Sequence, residues 1–248
     1  MEQILFVAGM GPGSMEQMTR EVAGVLAAAD VIVGYKVYTD LLLQFFPGKE
    51  ILTTPMRKEE ERCRLALEQA ASGRNVVLVC SGDAGVYGMA GLLYEMAADF
   101  PSVRIRVLPG ITAAVSGAAV LGAPLVHDFA TISLSDMLTP WEKICARLRA
   151  AAAADFCIVL YNPASHGRPR HLARACAVLL EQLPAERPCG YVRNIGREGE
   201  CACVCTLQEL AEKEVDMFTT VFIGNSGTRI IGGRLVTPRG YAFEGGVQ

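Results

Sequence analysis

The feature that most constrains this chain is an apolar run ending in a glycine-rich turn. Residues 75–80, Asn-Val-Val-Leu-Val-Cys, have the continuous apolarity of a parallel strand buried on both faces. Ser81-Gly-Asp-Ala-Gly-Val-Tyr-Gly88 follows, and residues 89–98 then have the composition of a helix. Such a turn lies at the carboxyl end of a strand, where open α/β sheets bind ligands. Its three glycines let a ligand lie directly on backbone, and Asp83 adds a carboxylate. The same residues also suit a plain βα turn in which Asp83 caps the helix.

The alternation extends along the N-terminal half. Strands are predicted at 4–8, 30–34, 50–53, 75–80 and 103–108. Helices are predicted at 14–28, 35–46, 57–71, 89–98 and 112–121, the first opened by a capping-box pattern, Ser14-Met-Glu-Gln17. Repeated βα units imply a mostly parallel sheet with helices on both faces. Gly122-Ala-Pro124 interrupts the pattern, which places a domain boundary there and divides the chain into residues 1–122 and 123–248. In the second part strands are predicted at 129–134, 157–161, 190–193, 201–205 and 219–224, with a final edge strand at 234–237. Helices are predicted at 139–152 and 168–183, with a short one capped by Thr206-Leu-Gln-Glu209. Two consecutive strands near 190 and 201 imply a mixed second sheet. The expected fold class is therefore α/β, in two α/β domains, the first with a mostly parallel sheet and the second with a mixed one.

Of the 248 residues 51% are hydrophobic, enough for a large core, and no apolar run reaches membrane-spanning length. A formal net charge of −3 argues against a nucleic-acid surface made by bulk charge. Nine scattered cysteines with no CxxC pair, and no leader pattern before the first strand, imply free thiols in the cytoplasm.

Few other residues form a catalytic pattern. Gly9-Met-Gly-Pro-Gly13 departs from the dinucleotide fingerprint, because Ser14 stands where the third glycine belongs. Pro12 also removes an N–H that a phosphate cradle would use. A tight turn that lets a substrate approach the sheet is the better reading. Pro109-Gly-Ile-Thr112 is another glycine turn after a strand, with Thr112 and Ala113 at a helix start, where Thr112 equally serves as a cap. His127, His166 and His171 are separated, and there is no GxSxG elbow. Arg168, Arg170, Arg193 and Arg197 follow strand ends, where they can hold carboxylates or simply face solvent.

Taken in order, these stretches resemble a known family. Gly9-x-Gly-Pro-Gly13, Ser81-Gly-Asp83 and Pro109-Gly-Ile-Thr-Ala113 are similar to the N-terminal motifs of the tetrapyrrole (class III) S-adenosylmethionine-dependent methyltransferases. Ser133-Leu-Ser-Asp-Met-Leu-Thr-Pro-Trp141, Tyr161-Asn-Pro163 and Arg193-Asn-Ile-Gly-Arg-Glu-Gly199 narrow the resemblance to precorrin-3B C17-methyltransferases of cobalamin biosynthesis. Asp216-Met-Phe-Thr-Thr-Val-Phe-Ile-Gly-Asn225 and Thr237-Pro-Arg-Gly-Tyr241 extend it over nearly the whole chain.

The resemblance implies a homodimer with the active-site cleft between the two domains of each chain. It implies S-adenosylmethionine bound by Ser81, Gly82, Asp83, Val86, Thr112, Ala113, Asn162, Asn194 and Gly196, and a tetrapyrrole facing Gly9, Gly11, Pro12 and Gly13. Asp136, Tyr161 and Arg193, in or beside strand ends of the second half, are the candidate catalytic residues. Relatives often carry proline after the Gly-Asp pair, where this chain has Ala84. Some relatives carry C-terminal extensions with further cofactors, and none is expected here. The implied reaction is methylation of C17 of precorrin-3B, or of its cobalt form, with ring contraction. Methylation of another ring carbon, a nucleotide-cofactor oxidoreductase and a non-catalytic binding module are the competing readings. Titration with S-adenosylmethionine against a nicotinamide cofactor separates the oxidoreductase, and turnover of labelled methyl separates the binding module.

Cys201, Cys203 and Cys205 alternate on one face of a strand, which spaces successive thiols by about 7 Å, too far apart for one tetrahedral ion. Elemental analysis of protein purified without chelator is therefore expected to show no stoichiometric zinc or iron. One metal per chain would overturn this.

Overall fold

The structure, a computed structural model, describes residues 3–241. Two compact units divide the chain, the first ending at Ala113 and the second beginning at Ala114.

The first unit alternates strand and helix: β1 (Gln3–Gly9), α1 (Arg20–Ala28), β2 (Val31–Tyr35), α2 (Lys36–Leu43), β3 (Glu50–Thr54), α3 (Glu59–Ala71), β4 (Val76–Cys80), α4 (Ala90–Met96) and β5 (Val103–Leu108). Its five strands form one parallel sheet in the order β3-β2-β4-β1-β5. The apolar run of β4 is buried throughout, as a strand with neighbours on both edges and helices on both faces must be. On one face Cys63, Ala66, Leu67 and Ala70 of α3 and Leu93 of α4 pack against Leu5, Val7, Val33 and Leu78. On the other, Val22 and Leu26 of α1 and Leu42 of α2 pack against Ala8, Ile32, Val77 and Val79.

This arrangement fixes the ligand end of the sheet. The connection from β1 enters a helix on one face, and that from the adjacent β4 enters a helix on the other. Neighbouring strands whose connections part in this way leave a crevice at their carboxyl ends.

The first helix starts later than the capping-box pattern at Ser14 predicts. Ser14 Oγ donates to the side chain of Gln17 (3.5 Å), and Met15 and Met18 turn inward onto the core. The helix begins after Thr19, whose Oγ1 accepts from the Val22 N–H (3.2 Å). Packing buried Met18 and half-buried Met15 on the core holds residues 14–18 irregular, and the cap moves to the next hydroxyl.

The second unit holds α5 (Ala113–Leu121, from its second residue), β6 (Gly122–Ala123), β7 (Phe129–Ser133), α6 (Trp141–Ala153), β8 (Cys157–Tyr161) and α7 (His171–Leu179). It continues through β9 (Pro188–Arg193), β10 (Cys201–Thr206), α8 (Leu207–Leu210), β11 (Thr219–Ile223), β12 (Arg229–Ile231) and β13 (Arg234–Val236). Its main sheet, β10-β9-β11-β8-β7, is mixed: β7 and β8 are parallel, and the other neighbours are antiparallel. The capping box at Thr206 is present, with Thr206 Oγ1 accepting from Glu209 N–H and the Glu209 carboxylate accepting from Thr206 N–H. Ile144 and Leu148 of α6 and Leu172, Cys176 and Leu179 of α7 bury one face of the sheet against Ile158, Leu160, Cys189 and Val221.

The final strand is not an edge. β13 is the middle strand of a separate three-stranded sheet, β12-β13-β6. A hairpin through Gly232 and Gly233 supplies one neighbour, and Gly122-Ala123, read in the sequence only as a break, supplies the other. Two-residue strands fall below what periodicity can register.

Candidate functional site

Three glycine turns meet at the carboxyl ends of the adjacent strands β4, β1 and β5. The turns after β1 and β4 are joined by a reciprocal backbone pair, Gly11 N–H to Gly82 O (3.1 Å) and Gly82 N–H to Gly11 O (2.8 Å). The Asp83 carboxylate accepts from Gly85 N–H (2.7 Å) and Val86 N–H (3.1 Å) in its own turn, and from Gly110 N–H (2.9 Å) in the turn after β5. The packing leaves no room for side chains. A Cβ on Gly110 would stand 2.1 Å from Gly82 O, and one on Gly9 2.6 Å from the same atom. Gly82 itself has φ +67°, which glycine adopts without strain. The result is a floor of backbone with Gly85, Tyr87 and Gly88 exposed at its surface.

Every first-unit residue singled out in the sequence lies in these turns. Gly9, Gly11, Pro12, Gly13 and Gly82 are buried, Ser81, Asp83 and Val86 are half-buried, and Thr112 and Ala113 end the β5 turn. Thr112 Cα and Ala113 N lie within ordinary contact distance of a Cβ built on Gly82. Asp83 therefore joins turns and does not cap the following helix: the N-cap of α4 is Met89, with no side-chain hydrogen bond. Cys80 precedes the turn, and burial pushes its thiol up to about 11, which makes it a neutral apolar contact and not a nucleophile.

In the second unit β7, β8 and β9 run in the same direction, so Ser133, Tyr161 and Arg193 mark one end of the sheet. Tyr161 Oη accepts from the Ala114 N–H at the start of α5 (2.7 Å). Asn162 has a left-handed backbone, φ +52°, and its Nδ2 donates to Ser133 Oγ (3.0 Å). Asn194 is also left-handed, φ +53°, and Gly196 N–H donates to the Glu200 carboxylate (2.8 Å). Arg193 pairs with Asp216 (2.9 Å), which also accepts from Thr219 Oγ1 and Phe218 N–H. Asp136 lies in the loop after β7, 2.8 Å from His171 Nε2. Three of the five non-glycine residues with positive φ among the described residues, Tyr87, Asn162 and Asn194, lie in these turns. Such conformations cost about 1–3 kcal/mol and gather at functional sites.

Two further buried polar residues carry no local signal in the sequence. Arg62 on α3 is 3% exposed and donates to the carbonyls of Pro55 (2.9 Å) and Thr54 (3.4 Å), tying the loop after β3. It sits in a charged run that reads as a solvated face. His171 is a lone histidine at a helix start, yet it is 7% exposed and holds Asp136. His127 and His166 are exposed. Cys201, Cys203 and Cys205 lie on β10 and grade from exposed to buried, with burial raising the Cys205 thiol to about 12.

Fold and turns together define an α/β protein with three interlocked glycine turns at the switch point of a parallel sheet, the place where open α/β sheets bind ligands. Residues 5–211 match the profile of the tetrapyrrole (corrin/porphyrin) methylases. A probable cobalt-factor III C(17)-methyltransferase of Salmonella typhimurium is 47% identical over 97% of this chain and 100% of its own length. A precorrin-3B C(17)-methyltransferase of a Sinorhizobium species is 44% identical over 96% of this chain and 97% of its own. The crystal structure of the methyltransferase CobJ superposes with a TM-score of 0.86 at 41% identity, covering 94% of this chain and 99% of that one. The chain belongs to the tetrapyrrole methylase family. No helix among the described residues is long and apolar enough to cross a membrane.

The Asp136–His171 contact has a pH signature. The hydrogen bond from His171 holds the Asp136 carboxyl below the usual carboxylate range. A depressed carboxylate contributes stability that is fully present above its unfolded pKa and is lost as pH falls through the folded value. Denaturant titrations on the acid side are expected to show a shallower loss for Asp136→Asn than for the wild type. Identical acid limbs would refute the assignment.

Proposed function

We propose that this chain transfers a methyl group from S-adenosylmethionine to C17 of a precorrin-3-level tetrapyrrole, with contraction of the ring, in cobalamin biosynthesis. The observation that carries the reading is the 47% identity to a C(17)-methyltransferase over 97% of the chain and the whole of that relative. The three joined turns supply a physical basis. They lie at the carboxyl ends of β1, β4 and β5, where open α/β sheets bind ligands, and leave Gly85 and Gly88 exposed for close approach to backbone.

When bound, the cofactor supplies a methyl group already activated by its sulfonium leaving group. The chain then has to position and desolvate more than to move protons. Asp83 holds the Ser81–Gly88 and Gly110 turns in one geometry, and Ser81, Gly82, Val86, Thr112 and Ala113 line the proposed cofactor floor. Gly9, Gly11, Pro12 and Gly13 are assigned to the macrocycle, and Asn162, Asn194 and Gly196 to the cofactor. Asp136, Tyr161 and Arg193 are the proposed shaping groups. Tyr161 and Arg193 are held by Ala114 and Asp216 respectively, so neither is a mobile general acid. The reading includes a homodimer, which sedimentation measures.

Mass spectrometry and carbon NMR of product made with labelled cofactor test the reaction. Label at C17 of a contracted macrocycle is expected, with both metal-free and cobalt forms offered. Label on another carbon, or an uncontracted ring, would reject the corresponding half. Asp83→Ala is expected to stay folded and to lose cofactor affinity by about tenfold or more, because three N–H groups lose their shared acceptor. Calorimetry showing unchanged affinity in the folded variant would remove Asp83 from the site.

A further inference from the structure

The loop between β7 and α6 has two unlike parts. Its tip is apolar and in water: Leu138 is 99% exposed and Met137 55%. Its base is tied down. Leu134 N–H donates to Tyr161 O (2.9 Å), and Arg168 Nη1 donates to Leu134 O (3.3 Å). Asp136, next to the tip, is held by His171 Nε2 (2.8 Å), with the Arg168 guanidinium 4.0 Å from its other oxygen.

His171 is itself locked. Trp141, the first residue of α6, packs edge-on against its ring, with centroids 5.0 Å apart, and Arg174 lies 4.0 Å over the indole. Exposed apolar side chains gain from contact with an apolar ligand surface, and the held base fixes where these two stand. The held side is the end of the sheet that carries Tyr161 and Asn162, which the proposed reaction uses.

We propose that His171 is a positioning residue for the macrocycle: through Asp136 it holds the Met137–Leu138 tip outward, where the tip meets the flat apolar face of the tetrapyrrole. The inference rests on the methyl-transfer reading for the identity of that ligand. It concerns the macrocycle and not the cofactor, because the Met137–Leu138 tip belongs to the loop between β7 and α6, to which no cofactor residue is assigned.

The chain has a single tryptophan, and it is Trp141. Its fluorescence therefore reports this loop alone, and a tetrapyrrole that absorbs in the near ultraviolet quenches it on binding. The experiment compares wild type, His171→Ala, His171→Gln and Leu138→Ser. It measures turnover, quenching by the macrocycle that the wild type methylates, and calorimetric affinity for S-adenosylhomocysteine. His171→Ala is expected to raise KM and the quenching Kd for the macrocycle about tenfold, with cofactor affinity within about twofold. His171→Gln is expected to restore most of the loss, since its amide can donate to Asp136 from near the position of Nε2. Leu138→Ser changes a side chain wholly in water and so tests the tip even if His171→Ala does not fold. It is expected to weaken the macrocycle and not the cofactor.

Macrocycle affinity unchanged in folded His171→Ala, or unchanged in Leu138→Ser, would overturn the proposal. So would a cofactor affinity that falls by the same factor. A wild type that turns over no tetrapyrrole refutes the reading of function instead, a result visible before any variant is made.

Discussion

The ligand end of the first unit depends on one carboxylate. Asp83 accepts three backbone N–H groups from two turns, and the Gly11–Gly82 pair adds the third turn. Hydrogen bonds to a charged acceptor are individually worth about 1.5–3 kcal/mol. These connect loops that the sheet merely brings near one another. The glycines follow from this closeness: with Gly110 and Gly9 backbone packed on the Gly82 carbonyl, no side chain fits. The bare floor is thus a result of packing three strand ends through a shared anion, and Asp83 is more a keystone of the turns than a group offered to solvent.

The second unit solves the corresponding problem differently. Its loops are tied by side chains: Asn162 to Ser133, Arg193 to Asp216, Asp136 to His171. Two asparagines take up left-handed backbone where the first unit uses glycine. Asparagine tolerates that region better than other side-chain-bearing residues and brings an amide with it. The unit thereby keeps polar groups at positions where the first unit keeps only main chain.

Much of this was legible in the sequence because it rests on local signals. The parallel sheet follows from repeated βα units, the mixed sheet from two strands with no helix between them, and the Thr206 capping box from a four-residue pattern. What was missed has no local signal. β6 is two residues long and gains its partner from β13, more than a hundred residues away. His171 looks like any solitary histidine until the fold sets Asp136 beside it, and Arg62 lies in a run of charges that resembles a wet helix face. The Ser14 pattern misled for the opposite reason. A correct local signal was outweighed by the packing of Met15 and Met18 on the core.

The place of β1 in its sheet carries a cost during synthesis. Leu5 pairs with Val76 on one side and Ile105 on the other. β1 is therefore an interior strand of the finished sheet, yet in order of synthesis it has no partner within that sheet until β4 emerges. Until β5 follows, one of its edges stays open. At roughly 5–20 residues per second, that interval lasts several seconds, during which an apolar strand edge is available to any other chain. The strand order that leaves a crevice between β1 and β4 thus also leaves β1 with unpaired backbone groups for much of its synthesis, the kind of edge that templates pairing between chains.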